Sequence, residues 1–520
     1  MDQRETQGGG MHRGQASEDS LEFREFFGLV TGYVSSTPPI FPSIALKRAT
    51  TALSSVCVQK QYSATLSLKP RWNFAGGGTA GYVLANRLSQ DSNITVLALE
   101  HGSSNDSWKS RSSLFSAHWA SDGFASRMWL SLPQEHLNSR EIRSVGGNIL
   151  GGTSKVNARL YTRGLPVEMN LWVELVGSEE KERRVCGFKK RWLGAYKIHQ
   201  GEKGGDTVQR NDELAADSDT ELADNDFFAT GGIDPKEHLK EHGIPVKKDL
   251  AGVGSHLVPV QFQDPFRDST IRLQASIWLL IKELILYFLF GIGILANAST
   301  MDAVLFVQTR LLDEDKNSDR VLVSFYAKED MNARPPKNLP DLEILPVGAA
   351  DTSMLKAAGA KNGRPALYAA SLHPESKGTV RLVSSDPLAP AQMDPKSLSK
   401  EYDLAILRTG IRFNFHLPDQ LKHQGYPISA SHVPESTSDA DLDEFIRKEC
   451  VSGNHWTLSC RMAPEAEGGV VDARLRVYGV KRLRVVDVSV MPESPSTHLA
   501  ALTVAIGEKC ADTVDARKLE

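Results

Sequence analysis

Three groups of residues in this chain have types and spacings suited to chemistry. The first is the run Gly76, Gly77, Gly78, Thr79, Ala80 and Gly81, followed 19 positions later by Glu100. In a G-x-G-x-x-G pattern, Gly76 and Gly78 would allow a tight turn and close backbone approach to a pyrophosphate. Gly81 would let a helix pack against a strand, and the helix N-terminus would supply amide donors and partial positive charge. An acid at the next strand end, the place of Glu100, would bind ribose hydroxyls. The second group is the loop 147–164, where glycines, Thr153, Ser154 and Asn157 could bind an anionic or heteroaromatic ligand. The third is His455 and His498, 43 positions apart. A neutral imidazole near pH 7 is suited to accept a proton. Each group taken alone has a plainer reading, an ordinary glycine turn or histidines at the surface.

The elements that must position these residues follow from the pattern around them. Residues 76–100 read as turn, helix (82–88), turn (91–93) and apolar strand (94–99). The stretch before Gly76 carries Pro70 and Arg71, which do not suit a central parallel strand. Further on, a short helix is expected over 235–242 and a strand over 378–383. A strand over 483–486 lies between the two histidines, and a last helix covers 499–514. Residues 276–295 are strongly apolar, but Lys282 and Glu283 lie within and Gly291 and Gly293 break the end. A buried or groove-lining helix is expected there, not a membrane span.

Composition bounds the rest. The 520 residues are 41% apolar and 24% charged, which describes a globular chain long enough to need no disulfide or metal staple. With 60 basic and 64 acidic residues the net charge is −4, so no global field draws the protein to nucleic acid. The five cysteines, Cys57, Cys186, Cys450, Cys460 and Cys510, contain no C-x-x-C, so no metal ligand set is expected and most should be reduced and buried. The first 30 residues lack the apolar core of a secretory signal, which favours an intracellular location over a secreted one.

The block from Gly147 to Gly164 resembles the first signature of the glucose–methanol–choline (GMC) family of flavoprotein oxidoreductases, position by position through the Gly-Gly-hydroxyl-Ser core and Asn157. Residues 75–102 are similar to that family's dinucleotide-binding start, 232–254 to the segment after its second signature, 374–395 to its substrate-domain strand and turn, and 468–492 to its C-terminal FAD segment. The resemblance implies an α/β fold, with a noncontiguous Rossmann-like FAD-binding domain and an α+β substrate domain on a mostly antiparallel sheet. The implied boundaries are an N-terminal extension 1–70, FAD-binding parts at 71–170, 229–258 and 454–520, a charged and truncated linker at 171–228, and a substrate-binding part at 259–453.

It further implies FAD held by Gly76, Gly78, Thr79, Ala80, Gly81, Glu100, Thr153, Asn157, Leu160, Asp487, Val488 and Leu499. His455 would take the hydroxyl proton of an alcohol while its carbon loses a hydride, and His498 would position the oxygen. Oxygen or a quinone would reoxidise the flavin. The apolar runs 276–295 and 499–502 favour a hydrophobic aromatic or terpenoid alcohol, and with it a role in secondary metabolism. The chain departs from the family at Trp456 and Leu458, where Pro and Gly are usual, and only 229–233 remains of the second signature. A truncated, non-catalytic relative with impaired FAD binding, or a lyase on the same scaffold, is the alternative.

Overall fold

Strand β1 (Trp72–Ala75) begins beyond Pro70 and Arg71, so neither falls in its pairing register. It pairs in parallel with β2 (Val96–Leu99), from Trp72 opposite Val96 to Ala75 opposite Leu99. Between them runs helix α1 (Thr79–Ser89), whose Ala80, Leu84, Ala85 and Leu88 recur at helical spacing and are buried. The computed structural model describes residues 72–91, 96–103, 125–157, 160, 162, 164–176, 231–257, 261–263, 277–290, 304–314, 321–323, 336–347, 366–386, 389–423 and 433–515. All of them belong to one compact unit, Leu46–Glu520. The expected extension 1–70, Cys57, Cys186 and the charged stretch 177–228 lie outside the described residues.

The antiparallel pair β3 (Ser126–Leu130) and β4 (Arg143–Gly147) leads into the second glycine loop. Helix α2 (Pro166–Val176) follows and runs across the boundary expected at 170/171. A short parallel pair, β5 (Ile233–Asp234) and β6 (Lys248–Asp249), brackets helix α3 (Lys236–Glu241), which lies within the expected 235–242.

Downstream the strands are β7 (Ser255–Leu257) and β8 (Gln261–Gln263), then helix α4 (Ile277–Ile285), β9 (Leu305–Val307), and the small pair β10 (Leu312–Glu314) and β11 (Val321–Val323). They are followed by β12 (Leu342–Val347), β13 (Ala366–Ser371), β14 (Gly378–Arg381) and β15 (Gln392–Asp394). Helices α5 (Glu401–His423) and α6 (Asp439–Glu449), strand β16 (Val451–Ser452) and helix α7 (Ala500–Asp515) complete the chain. Five strands form one sheet in the order β16-β8-β13-β12-β9, with every pairing antiparallel.

Two expectations need correction. Residues 483–486 do not form a strand; an isolated bridge joins Arg484 to Arg476, and Arg482 just before the segment turns the backbone with φ of 65°. Of the two alternatives for the apolar stretch at 277–290, a buried or a groove-lining helix, the described side chains do not fit the buried one. Trp278 (77% exposed), Leu289 (63%) and Phe290 (66%) face outward, and among the described side chains of this run the buried one is Glu283. Among the described residues no helix is long and apolar enough to cross a membrane.

The largest core cluster draws together Leu84 and Leu88 of α1, Met169 and Trp172 of α2, Leu458, Cys460 and Met462, and Leu499, Leu502 and Ile506 at the C-terminus. Segments more than 400 positions apart therefore share one apolar interior. Burying a Leu or Val side chain there contributes about 1.5–3 kcal/mol. Arg87 of α1 reaches Glu508 at 3.1 Å and Asp512 at 3.0 Å on α7, which fixes the register of the two helices. Cys450, Cys460 and Cys510 are buried and in no disulfide.

Candidate active site

The first glycine loop turns at Gly76, whose φ of +93° lies in the region that side chains with a Cβ rarely adopt. Gly76 N–H donates to Leu99 O (2.8 Å), tying the loop to the end of β2. Glu100 follows that strand directly, and its two oxygens accept from the N–H groups of Gly77 (2.7 Å) and Gly102 (2.6 Å). Gly81 packs so closely that a Cβ would lie 2.2 Å from Gly76 O. The second loop joins the first through Gly151 N–H donating to Gly77 O (2.7 Å). Thr153 is buried in that second loop, and its Oγ1 accepts from Gly147 N–H at 2.9 Å.

Thus Gly76, Gly78, Thr79, Ala80, Gly81, Glu100 and Thr153 come together around the N-terminus of α1. Asn157 N–H donates to Thr153 O (2.9 Å), which places Asn157 on the same loop. Leu160 lies elsewhere, packed on the cluster of Leu345, Ala370 and Tyr368 on the five-stranded sheet. Asp487 Oδ1 accepts from Ser489 N–H (2.9 Å) and Oγ–H (2.5 Å). The side chains of Val488 (0% exposed) and Leu499 (1%) belong to the core, so any ligand they meet must be met by their backbone.

The residues present fit a dinucleotide. A Cβ built at Gly76 would meet nothing within 4 Å, so the turn has open space on that side. Helix α1 starts at Gly78 without a side-chain cap and with no acid in its first turn. That leaves a helix N-terminus compatible with an anion. A carboxylate has about four lone-pair sites, so Glu100 retains acceptor capacity beyond its two backbone bonds.

His455 sits in the loop that follows β16. The guanidinium of Arg140 closes the preceding helix, donating to Arg447 O (3.0 and 2.8 Å) and Cys450 O (2.8 Å) at the end of α6. Asn454, at φ 58°, accepts from Val145 N–H of β4 through Oδ1 (3.0 Å), so the residue beside the histidine is anchored to a strand. Leu458 has φ of +76° and is fully buried. Leucine in this left-handed region is strained, and a glycine would adopt that backbone freely. Trp456 (1% exposed) packs with Trp129, Leu257, Val380 and Met393.

The bulky pair has not displaced His455, whose ring meets His498 edge to face, with centroids 4.8 Å apart and planes at 87°. Burial first, and then the neighbouring His498, push the His455 pKa well below 6.5. The ring is therefore neutral near pH 7 and can accept a proton.

His498 is fixed from three sides. Its N–H donates to Thr162 Oγ1 (2.9 Å), and that hydroxyl lies 2.6 Å from Thr497 Oγ1. Two positions earlier, Ser496 N–H donates to Glu168 Oε1 (2.5 Å); Glu168 is a buried residue of α2 whose other oxygen accepts from Leu165 N–H (2.8 Å). Most directly, His498 Nε2 lies 2.8 Å from Oε1 of Glu343 on β12, and both residues are buried. A carboxylate there places the ring proton on Nε2 and leaves Nδ1 as the acceptor.

The sequence reading missed Glu343, Glu168 and Thr162. For Glu343 a signal existed: a lone acid within the apolar run Leu342, Ile344 and Leu345 needs a buried partner. Nothing local ties Glu168 or Thr162 to the histidine, because Ser496 and His498, the partners that do so, lie more than 300 positions away.

Comparison with known proteins agrees with this arrangement. The GMC oxidoreductase family model matches residues 374–507, which include both histidines. An oxygen-dependent choline dehydrogenase of Chromohalobacter salexigens is 24% identical, covering 85% of this chain and 94% of that protein. That match extends over 562 residues, more than this chain contains, so the relative carries stretches this chain lacks. The GMC oxidoreductase family protein Mala s 12 of Malassezia sympodialis is 24% identical, covering 84% and 91%. Among solved structures, a fungal aryl-alcohol oxidase superposes with TM-score 0.66 at 20% identity, covering 88% of this chain and 100% of that one. A formate oxidase superposes with TM-score 0.68 at 20% identity, covering 86% and 98%. These structures share its α/β fold. With the C-terminal segment matched and relatives aligned along most of their length, the chain is similar to the GMC oxidoreductases.

Proposed function

We propose that this oxidoreductase binds FAD and oxidises the CH–OH group of a small alcohol to a carbonyl. The observation that carries this reading is the buried contact of His455 with His498, which holds one neutral imidazole beside a second ring fixed by a carboxyl group. The names of its relatives, choline dehydrogenase and aryl-alcohol oxidase, point to the same class of reaction.

Gly76, Gly78, Thr79, Ala80, Gly81 and Glu100 would hold the adenosine diphosphate half of the cofactor. Thr153, Asn157, Leu160 and Asp487 are assigned to the remainder, together with the backbone of Val488 and Leu499. FAD, when bound, supplies the hydride acceptor. His455 takes the hydroxyl proton, a step that suits its depressed pKa because the ring is already unprotonated. His498 orients the hydroxyl through Nδ1, with Glu343 holding the ring still.

The FAD-binding parts proposed are 71–170, 229–258 and 454–520, with 259–453 binding substrate. An apolar alcohol, aromatic or terpenoid, is the favoured substrate. Its support is the partly buried pair Leu160 and Tyr368, packed against Leu345, which lies two positions from Glu343 on the same face of β12. Residues 499–502, which suggested the same preference from sequence, are core residues and give it no support.

The test is to load the purified protein with FAD and mix it anaerobically with a panel of benzylic alcohols, terpenoid alcohols and sugars. The expected result is loss of oxidised-flavin absorbance with the apolar alcohols and formation of the matching aldehyde or ketone. Failure to retain FAD, or retention with no reduction by any alcohol, would establish the truncated, non-catalytic reading instead.

A further inference from the structure

We infer that His238, Glu241 and His242 form a binding site for a divalent transition-metal cation of the zinc or copper type. The three residues stand at i, i+3 and i+4 in the last turn of α3, a spacing that puts them on one side of the helix. Their ligand atoms all lie within 4.8 Å of one another, so a modest contraction brings them around one ion. The two imidazoles meet edge to face with centroids 4.9 Å apart. Both rings are half-buried while Glu241 is exposed, which gives the cluster defined walls and an open side for entry.

The chemistry of the donors selects the ion. Two imidazoles and one carboxylate suit zinc, copper and nickel, whereas calcium and magnesium prefer an all-oxygen shell. The helix ends at this turn, and the partial negative charge of its terminal carbonyls favours a cation there. A second carboxylate stands behind the first ligand, with Asp234 Oδ2 3.6 Å from His238 Nε2.

In the metal-free ring, Leu382 N–H donates to His238 Nε2 (3.1 Å), so the ring proton is on Nδ1, 3.9 Å from Glu241 Oε2. Coordination through Nδ1 requires the tautomer with the proton on Nε2, on the side of Asp234 Oδ2 (3.6 Å); the Leu382 bond is given up, and the ring keeps one proton. A ligating histidine backed by a carboxylate is a common arrangement at metal sites. The lost hydrogen bond and the three-ligand shell make this an exchangeable site, not a structural one. Cysteine spacing gave no sign of it, because none of its ligands is a cysteine.

The experiment uses the chelator-treated full chain and copper(II) alone as the probe, read by electron paramagnetic resonance and by equilibrium dialysis. One equivalent is expected to bind with the splitting of two coordinated nitrogens, and zinc should displace it. His242→Gln should lose one nitrogen and weaken binding at least tenfold. Glu241→Gln should keep both nitrogens and weaken binding less. Since Glu241 is exposed and His242 lies at the helix end, neither change should disturb folding, which circular dichroism verifies. A His242→Gln protein with unchanged nitrogen splitting and unchanged affinity would place the copper elsewhere and overturn the proposal.

Discussion

At the scale of single residues, the pKa of His455 makes the most specific demand. Its value in the folded protein is depressed well below 6.5 by burial and by His498. The base form therefore persists as pH falls through 6.5, and flavin reduction by alcohol should hold level from pH 8 to that point. An acid limb centred at 6.5 or above would contradict the assignment. The same depression has a stability consequence. Below 6.5 the unfolded chain takes up a proton that the folded ring refuses, so this histidine makes no difference above that pH and destabilises the fold increasingly below it. Glu343 makes a second demand. Replacing it with Leu leaves His498 Nε2 buried beside an apolar group. That should cost about 1–3 kcal/mol in urea denaturation. Glu343→Gln keeps a polar partner and should lose less. A Leu variant as stable as the parent would show that the pair contributes nothing.

At the scale of elements, close backbone approaches decide more than side-chain chemistry does. Gly81→Ala would put a Cβ 2.2 Å from Gly76 O, forcing α1 away from the turn. Flavin occupancy should be lost, and stability should fall by about 1–3 kcal/mol through overpacking. Full occupancy in that variant would contradict the assignment of the loop. Arg140→Ala would remove the donors that close α6. It should destabilise the protein by about 2 kcal/mol, in the range for hydrogen bonds to charged groups, and a change under a few tenths would show that water replaces them. Much at this scale was legible in advance. Helix α1, strand β2, strand β14 and helix α7 follow from periodicity and turn residues, with ends displaced by at most three positions. The segment 483–486 was not, because Leu483, Val485 and Val486 can serve a core while Arg484 makes only an isolated bridge. Nor was α4, whose hydropathy says that a face is apolar but not which way it points.

At the scale of the whole molecule, the chain brings its chemistry together by folding its two ends into one interior. Helix α7 packs on α1 at Gly507, where a Cβ would meet Val83 at 3.0 Å, so the helix after His498 rests on the helix of the glycine loop. The two histidines proposed as catalytic were legible only through the likeness of their surroundings to a known family; two histidines 43 positions apart carry no such message by themselves. Glu343, the partner that holds His498, comes from a strand 155 positions earlier, a pairing only the folded chain makes. The central claim is that the two rings have unequal roles, one accepting the proton and one orienting the oxygen. Anaerobic flavin reduction by alcohol, compared among the parent, His455→Ala and His498→Asn, tests it most directly. His455→Ala should slow reduction by about 10²-fold or more, the usual worth of a general base. His498→Asn should slow it far less, and both variants should still bind FAD. Equal losses, a larger loss at His498, or no loss in either would contradict that division of roles.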